Sequence, residues 1–165
     1  MPEHPLLSAF YDDGSYRDVP IGGSPQDFLL VASLLQRLGW QLSIAGEPIQ
    51  QVDESHVFAA PEGHTCCVAA TRAGCTIHLW SWNDARSADR LDEVDFDPRE
   101  VHAGNIHDVE EALSAMAHAL NRTLHLVPEN RREPLLATFR PTGQTTVHER
   151  ACAAADPRPQ RRGGA

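Results

Sequence analysis

The segment at residues 91–100, LDEVDFDPRE, alternates acidic and apolar side chains. Glu93, Asp95 and Asp97 occupy every second position, and Glu100 follows three residues later. Because residues two apart on a β-strand point to the same face, this spacing predicts a row of carboxylates on one side of a strand. Such a row can bind a hard metal ion, dock a basic partner, or face solvent from an edge strand.

The three interpretations of this acidic row make different geometric demands. A metal site needs ligands that converge from several elements, whereas neighbours two apart on a strand point in parallel, so we expect no metal ion and no cofactor. A docking surface and the solvated face of an edge strand both fit the spacing. We predict that Glu93, Asp95, Asp97 and Glu100 bind a basic protein partner, with the edge strand as the alternative.

A second group of residues with possible chemistry lies on a helix predicted over residues 105–121. At 100° per residue, His107, Glu111 and His118 share one stripe of that helix. His107 and Glu111 could share a metal ion, but His118 lies about two turns further along, and the HExxH spacing of metallopeptidases is absent. A solvated helix face explains the stripe more simply.

The segment at residues 63–78, GHTCCVAATRAGCTIH, contains five side chains that zinc accepts as ligands. They are His64, Cys66, Cys67, Cys75 and His78. A hairpin in this segment places Cys66 and Cys67 on opposite faces, and Cys75 and His78 likewise, so we expect reduced thiols and no zinc site. No serine or cysteine motif of a known hydrolase family occurs, which leaves enzymatic activity uncertain.

The chain is strongly acidic. Among its 165 residues, 23 are Asp or Glu and the 14 basic residues are all Arg, which gives a net charge of −9. Residues 1–147 hold 21 acids and 10 arginines, a net charge of −11. A nucleic-acid binder needs a basic surface, so the composition disfavours that class and fits a basic protein partner.

The sequence gives no sign of membrane contact. Its longest apolar run, FLLVASLLQRLGW, is interrupted and too short to span a bilayer. No positively charged and apolar secretion signal is found near the start of the chain. We therefore predict a cytoplasmic protein.

Two hairpins are predicted from their turn residues. Asp13-Gly14 separates two strand-like runs and predicts a hairpin over residues 6–21, because a tight turn needs residues that tolerate positive φ. Ala73-Gly74 predicts a second hairpin in CCVAATRAGCTIHLWSW. Single strands are predicted for the segments QLSIAG, HVFAA, EVDFD, TLHLV and LLATF.

Two helices are predicted from capping signals and apolar spacing. The first has Ser24 as its N-cap, Pro25 at its first position, Asp27 completing a capping box and Gly39 just past its end. The second covers residues 105–121, where apolar residues recur at helical spacing. Together the elements predict an α+β fold, a mainly antiparallel sheet with two helices packed on one face.

The predicted domain organisation is simple. Residues 1–147 form a single α+β domain, because a chain of this length can bury one substantial core. Residues 148–165 have lost their bulky apolar side chains and are predicted to be a disordered tail.

The first predicted helix has an apolar arc of about 200°, whereas packing on one sheet face uses nearer 100°. The surplus predicts contact with the second helix and loops, or self-association as a homodimer through the first helix.

Three short motifs resemble a pattern found in small bacterial α+β proteins of unassigned function. They are DGSYRDVPI, DFDPRE and ALNRTLHLVPEN. In its small size, acidity and lack of catalytic motifs, the chain is also similar in character to bacterial immunity proteins, which neutralise basic toxin domains. The resemblance implies a non-enzymatic binding protein.

The leading hypothesis from the sequence is a non-enzymatic acidic module, of the immunity or inhibitor kind, that binds a basic partner. The first alternative is a small hydrolase-like enzyme that uses His107, Glu111 or His78. The second alternative is a regulatory homodimer.

Overall fold

The computed structural model describes residues 3–11, 13–22, 24–58, 65–82 and 92–148. The predicted loop NDARSADRL and nearly all of the predicted tail lie outside the described residues.

Three α-helices are found in the described residues: α1 (Pro25–Arg37), α2 (Glu54–Phe58) and α3 (Ile106–Leu120). Two short 3-10 helices cover Pro5–Phe10 and Pro98–Glu100. The strands are β1 (Arg17–Pro20), β2 (Gln41–Ile44), β3 (Glu47–Pro48), β4 (Thr65–Arg72), β5 (Cys75–Trp82), β6 (Glu93–Phe96), β7 (Leu124–Pro128), β8 (Ala137–Phe139) and β9 (Thr145–Val147).

The nine strands form one sheet in the order β3-β2-β4-β5-β6-β1-β7-β8-β9, and every pair of neighbours is antiparallel. The predicted α+β class with an antiparallel sheet is therefore confirmed. Helix α1 packs against α3 and against β2, β4 and β5. The prediction that both helices cover one face of the sheet stays a prediction.

The edge-strand interpretation of the acidic segment is wrong. Strand β6 pairs with β5 on one side and with β1 on the other, so it lies inside the sheet. The acid-apolar alternation indicates that one strand face is wetter than the other, but it carries no information about how many neighbours the strand has. Strand β5 precedes β6 in the chain, but the other partner, β1, comes from a distant part of the sequence.

Burial alternates along the central strands. Ile77, Leu79, Val94 and Phe96 are fully buried, while the residues between them on β5 and β6 are partly exposed. Because side chains alternate across a strand, the buried set faces the core and the partly exposed set shares the other side. We call this other side the outer face.

The capping chemistry of α1 is confirmed. Ser24 accepts a hydrogen bond from the Asp27 amide, Asp27 accepts one from the Ser24 amide, and Gly39 follows the helix with a φ of 86°. Much of the surplus apolar surface packs against the core, and Leu30 is the large apolar residue left exposed among those described, at 37%. The homodimer through α1 stays a prediction.

Several other predicted elements are confirmed. The β4–β5 hairpin turns at Ala73-Gly74, both with positive φ, and β2, β6, β7 and β8 match predicted strands. Helix α3 begins after Asn105 and ends at Asn121, which is left-handed with a φ of 51°. The Asn105 side chain does not cap the helix; it accepts from the His102 amide and donates to the Glu100 carbonyl.

The predicted strand HVFAA is wrong in its described part, because Glu54–Phe58 is helix α2. Asp53 accepts hydrogen bonds from the amides of Ser55 and His56, and this capping favours a helical turn over a strand. Residues 59 and 60 lie outside the described part of the chain.

The predicted N-terminal hairpin is also wrong, because residues 5–10 form a 3-10 helix. The turn at Asp13-Gly14 exists, with Asp13 accepting hydrogen bonds from the amide and hydroxyl of Ser15. The carbonyl groups that a hairpin ladder would pair are instead bound by a side chain, that of Arg17.

Arg17 is fully buried at the start of β1. Its guanidinium donates to the carbonyls of Ala9 (3.0 Å) and Ser15 (3.0 Å), and also to that of Tyr11. It donates to Asp13 Oδ1 at 3.1 Å and lies 4.3 Å from the centre of the Tyr11 ring. A planar group with five donors is suited to hold a curved segment of backbone in this way.

We expect Arg17→Met to lower the free energy of unfolding by about 3–5 kcal/mol, because the buried carbonyls and Asp13 would lose their donors. Arg17→Lys should recover only part of this, because an ammonium has fewer and differently placed donors. Urea unfolding checks this, with exposed Arg37→Met as the control, expected within about 0.5 kcal/mol of wild type. A small loss in Arg17→Met would contradict the anchoring role.

Candidate functional site

Strand pairing brings two rows of side chains together on the outer face. In the first row, His78 of β5 pairs with Asp95 of β6, which pairs with Asp18 of β1. In the second, Trp80 pairs with Glu93. Three carboxylates therefore lie on two adjacent strands, and we call Asp18, Glu93 and Asp95 the acidic cluster.

Asp95 is held by two neighbours on β5. Its carboxylate binds His78 Nδ1 at 2.8 Å and accepts a hydrogen bond from Trp80 Nε1 at 2.6 Å. The hydrogen bond to Asp95 raises the pKa of His78, although burial opposes the shift. When His78 is protonated, it therefore offsets part of the charge of Asp95.

Asp18 is the most enclosed member of the acidic cluster, at 7% exposure. Burial raises its pKa, a hydrogen bond from the Asn130 amide (2.7 Å) opposes this, and the charges of Asp95 and Glu129 raise it further. Like charges directly opposite each other destabilise a sheet. Asp18 is therefore a carboxyl that would be stabilised by a nearby cation.

A cleft of about 480 Å³ opens beside Asp18. Its lining residues are Asp18, Pro20, Glu93, His125, Val127, Asn130, Arg131, Arg132 and Leu135. Asp18 is buried and Arg131 and Arg132 are exposed, so the carboxyl lies deep and the two guanidinium groups belong to the rim. Burial lowers the pKa of His125, as do His148 and Arg140, which favours an uncharged imidazole in the lining.

The other two predicted acids lie beyond the end of β6. Asp97 caps the 3-10 helix Pro98–Glu100, and both its oxygens bind the Arg99 guanidinium, which lowers the pKa of Asp97. Glu100 accepts a hydrogen bond from the Thr76 amide at 2.7 Å. The structure thus brings Glu93 and Asp95 together with Asp18 on the outer face, and places Asp97 and Glu100 beyond β6, beside Arg99 and Thr76.

The residues considered for an enzyme have separate surroundings. His78 lies beside Asp95, Glu111 pairs with Arg72 at 3.3 Å, and the rings of His107 and His4 are 4.6 Å apart. His118, on the same predicted stripe, has its Nδ1 2.9 Å from the Pro141 carbonyl. The structure does not gather His78, His107 and Glu111 into one site.

Two of the cysteines, Cys67 and Cys75, are poorly suited to nucleophilic chemistry. Cys75 is buried in the core, and burial raises the pKa of its thiol to about 12. Cys67 lies on the outer face, where burial and the charge of Asp95 raise the pKa of its thiol to about 11. Of the other side chains considered as zinc ligands on this segment, Cys66 is buried and His64 lies outside the described residues.

Sequence reasoning missed Asp18, Asn130 and the arginines of the cleft rim. Asp18 lies in the short strand RDVP, whose alternation does place Arg17 and Asp18 on opposite faces. Nothing in that spacing indicates that Asp18 lies opposite Asp95, because the two strands are far apart in sequence.

The fold alone defines the structural class of this chain, which is an α+β protein built on a large antiparallel sheet. No family model, curated protein or solved structure matches this chain. Among the helices in the described ranges, none combines the length and apolar character needed to cross a membrane.

We expect Asp18→Asn to raise the free energy of unfolding at pH 7 by about 0.5–1 kcal/mol, since it removes the charge facing Asp95 and keeps an acceptor for Asn130. The folded-state pKa of Asp18 lies above the ordinary 3.8, so the contribution of Asp18 to stability falls as pH rises from about 4 through its folded-state pKa, while carboxyls with a lowered pKa, such as Asp97, act in the opposite direction. Denaturant unfolding across this range should therefore show the stability of Asp18→Asn relative to wild type increasing with pH.

The exposed Glu47→Gln on β3 is the charge-matched control for this comparison and should leave the pH profile unchanged. If Asp18→Asn were less stable than wild type at pH 7, that result would contradict the claim that repulsion between Asp18 and Asp95 destabilises the folded chain.

We expect Cys67 to react with iodoacetamide at pH 7.5 about 100-fold more slowly than an unperturbed thiol. A pKa of about 11 instead of 9.0 leaves that much less thiolate. Peptide mass spectrometry, which resolves each cysteine, measures the rate, and urea-unfolded protein supplies the reference. Equal rates in the folded and unfolded chain would overturn this account of the thiol.

Proposed function

We propose that the chain is a non-enzymatic binding module for a basic protein, of the immunity or inhibitor kind, and that it acts in the cytoplasm. The acidic cluster of Asp18, Glu93 and Asp95 is the proposed contact surface. The observation that carries the proposal is the cross-strand pair of Asp18 and Asp95, with Glu93 on the same face.

A cation is the natural complement of this cluster. Asp18 is deep in the cleft and Glu93 lines it, so an arginine or lysine side chain that enters would meet two carboxylates. Burial is the main cause of the raised pKa of Asp18, and a bound cation would offset both the cost of that burial and the repulsion from Asp95. The stability that the free protein loses to this repulsion would be regained in the complex.

The surroundings of the cluster support a protein partner over an isolated cation. Glu129, whose charge acts on Asp18 together with that of Asp95, adds to the negative potential around the cluster that attracts a basic protein. Arg131 and Arg132 on the rim can bind carbonyl or carboxylate groups that flank the inserted basic side chain. This mixed pattern favours a partner with a central basic residue.

The hydrolase-like alternative has weaker support. Asp95 holds His78 through Nδ1, in the way that a carboxylate orients a histidine that acts as a general base. Covalent hydrolysis also needs a nucleophile beside that histidine. Cys67 on the same face is a poor candidate, since the pKa of its thiol is about 11.

Titration with an oligoarginine peptide at low salt tests the proposal. We expect the double variant Asp18→Asn/Glu93→Gln to bind about 10-fold more weakly than wild type, because two carboxylates near the inserted side chain lose their charge. Calorimetry gives the affinity, and the difference should shrink as added salt screens the charges.

The matched control is Glu47→Gln/Glu54→Gln, which removes the same net charge from exposed positions on β3 and α2. We expect this control to stay within about twofold of wild type. Equal weakening in both double variants would show attraction to net charge alone and would refute a specific site at the acidic cluster.

A further inference from the structure

We propose that His4, His107 and Glu110 form a binding site for a zinc-type divalent cation, separate from the acidic cluster. One ligand atom from each residue lies within 4.8 Å of the other two. Two imidazoles and one carboxylate are a ligand set used by zinc and its transition-metal neighbours. The sequence patterns predict no metal ion, but that prediction concerns only segments that do not include His4.

The geometry is close to that of a bound ion. His4 Nε2 and Glu110 Oε2 are 3.2 Å apart, and a tetrahedral zinc ion with bonds near 2.1 Å separates its ligand atoms by about 3.4 Å. The separations to His107 are no more than 4.8 Å, so an inward movement of at most about 1.4 Å brings its ligand atom to the tetrahedral spacing. Its side chain is exposed, so a change of rotamer is open to it.

Two different elements position the ligands, as a metal site requires. His4 precedes the 3-10 helix Pro5–Phe10, whose Leu6 amide donates to His4 Nδ1 at 3.3 Å. His107 and Glu110 are three residues apart at the start of α3 and so share one helix face. The other acids of this turn, Asp108 and Glu111, both pair with Arg72, which leaves Glu110 directed at His4.

Binding rearranges protons and hydrogen bonds at His4. With Nδ1 accepting from Leu6, the neutral ring carries its proton on Nε2 and donates it to Glu110. A metal on Nε2 requires the ring proton on Nδ1, so the hydrogen bond from the Leu6 amide is lost on binding and Nδ1 donates to water instead. The Glu110 charge is essential, because a cation near the start of a helix is otherwise disfavoured by the helix dipole.

Three ligands from the chain leave one position open on a tetrahedral ion, which water or a ligand from another molecule can fill. The ion would also cross-link the segment that begins at His4 to α3. That cross-link should raise the melting temperature when zinc is present, because zinc would bind the folded chain in preference to the unfolded one.

Calorimetric titration of the full, untagged chain with ZnCl₂ tests the site. We expect one equivalent to bind wild type, and His107→Ala and Glu110→Gln to bind at least about 10-fold more weakly. His118→Ala, also on α3, is the matched control and should bind within twofold of wild type. Zinc should raise the melting temperature of wild type and of this control, and not that of His107→Ala.

Co²⁺ absorption identifies the ligands, because thiolate, imidazole and carboxylate ligands give different spectra. We expect the Co²⁺ spectrum of wild type to lack a thiolate charge-transfer band. The whole Co²⁺ spectrum should be lost in His107→Ala. The proposal is overturned by wild type that shows no saturable zinc binding, by His107→Ala that binds like wild type, or by a thiolate spectrum that His107→Ala leaves intact.

Discussion

The buried guanidinium of Arg17 holds together parts of the chain that the sheet alone would not fix. Strand β1 joins β6 to β7, and it pairs with β7 through only two residue pairs. Arg17 anchors the start of β1 by donating to the backbone carbonyls of Ala9, Ser15 and Tyr16. Its full burial is tolerated because its donors find acceptors, including the charged Asp13.

The alternation of side chains along β1 links the position of Arg17 to the outer face of the sheet. Arg17 points to the core, so the next residue, Asp18, must point the other way. Asp18 then lies opposite Asp95, and the Asn130 amide covers it from the segment after β7. The Asn130 amide thus holds the Asp18 carboxylate on the strand position opposite Asp95. A rigidly held carboxyl is better prepared to bind a cation than a mobile one.

The predictable parts of this structure are those with local signals. The capping box at Ser24 defines α1, and Ala73-Gly74 defines the β4–β5 hairpin, because each signal acts over a few residues. The position of β6 inside the sheet depends on pairing with β1, which local spacing does not encode. The same limit applies to both sites: Asp18 with Asp95, and His4 with Glu110, are contacts between distant segments.

The acidic cluster and the proposed metal site of His4, His107 and Glu110 have no residue in common, yet both depend on Arg17. Arg17 binds the carbonyls of Ala9 and Tyr11, at the end of the 3-10 helix that His4 begins, and it precedes Asp18 on β1. Loss of Arg17 would therefore loosen both sites, whereas changes at His107 or Glu93 act on side chains that the anchor does not touch. Substitution of Arg17 should therefore weaken both sites together, whereas substitutions of His107 and of Glu93 should each affect only one site.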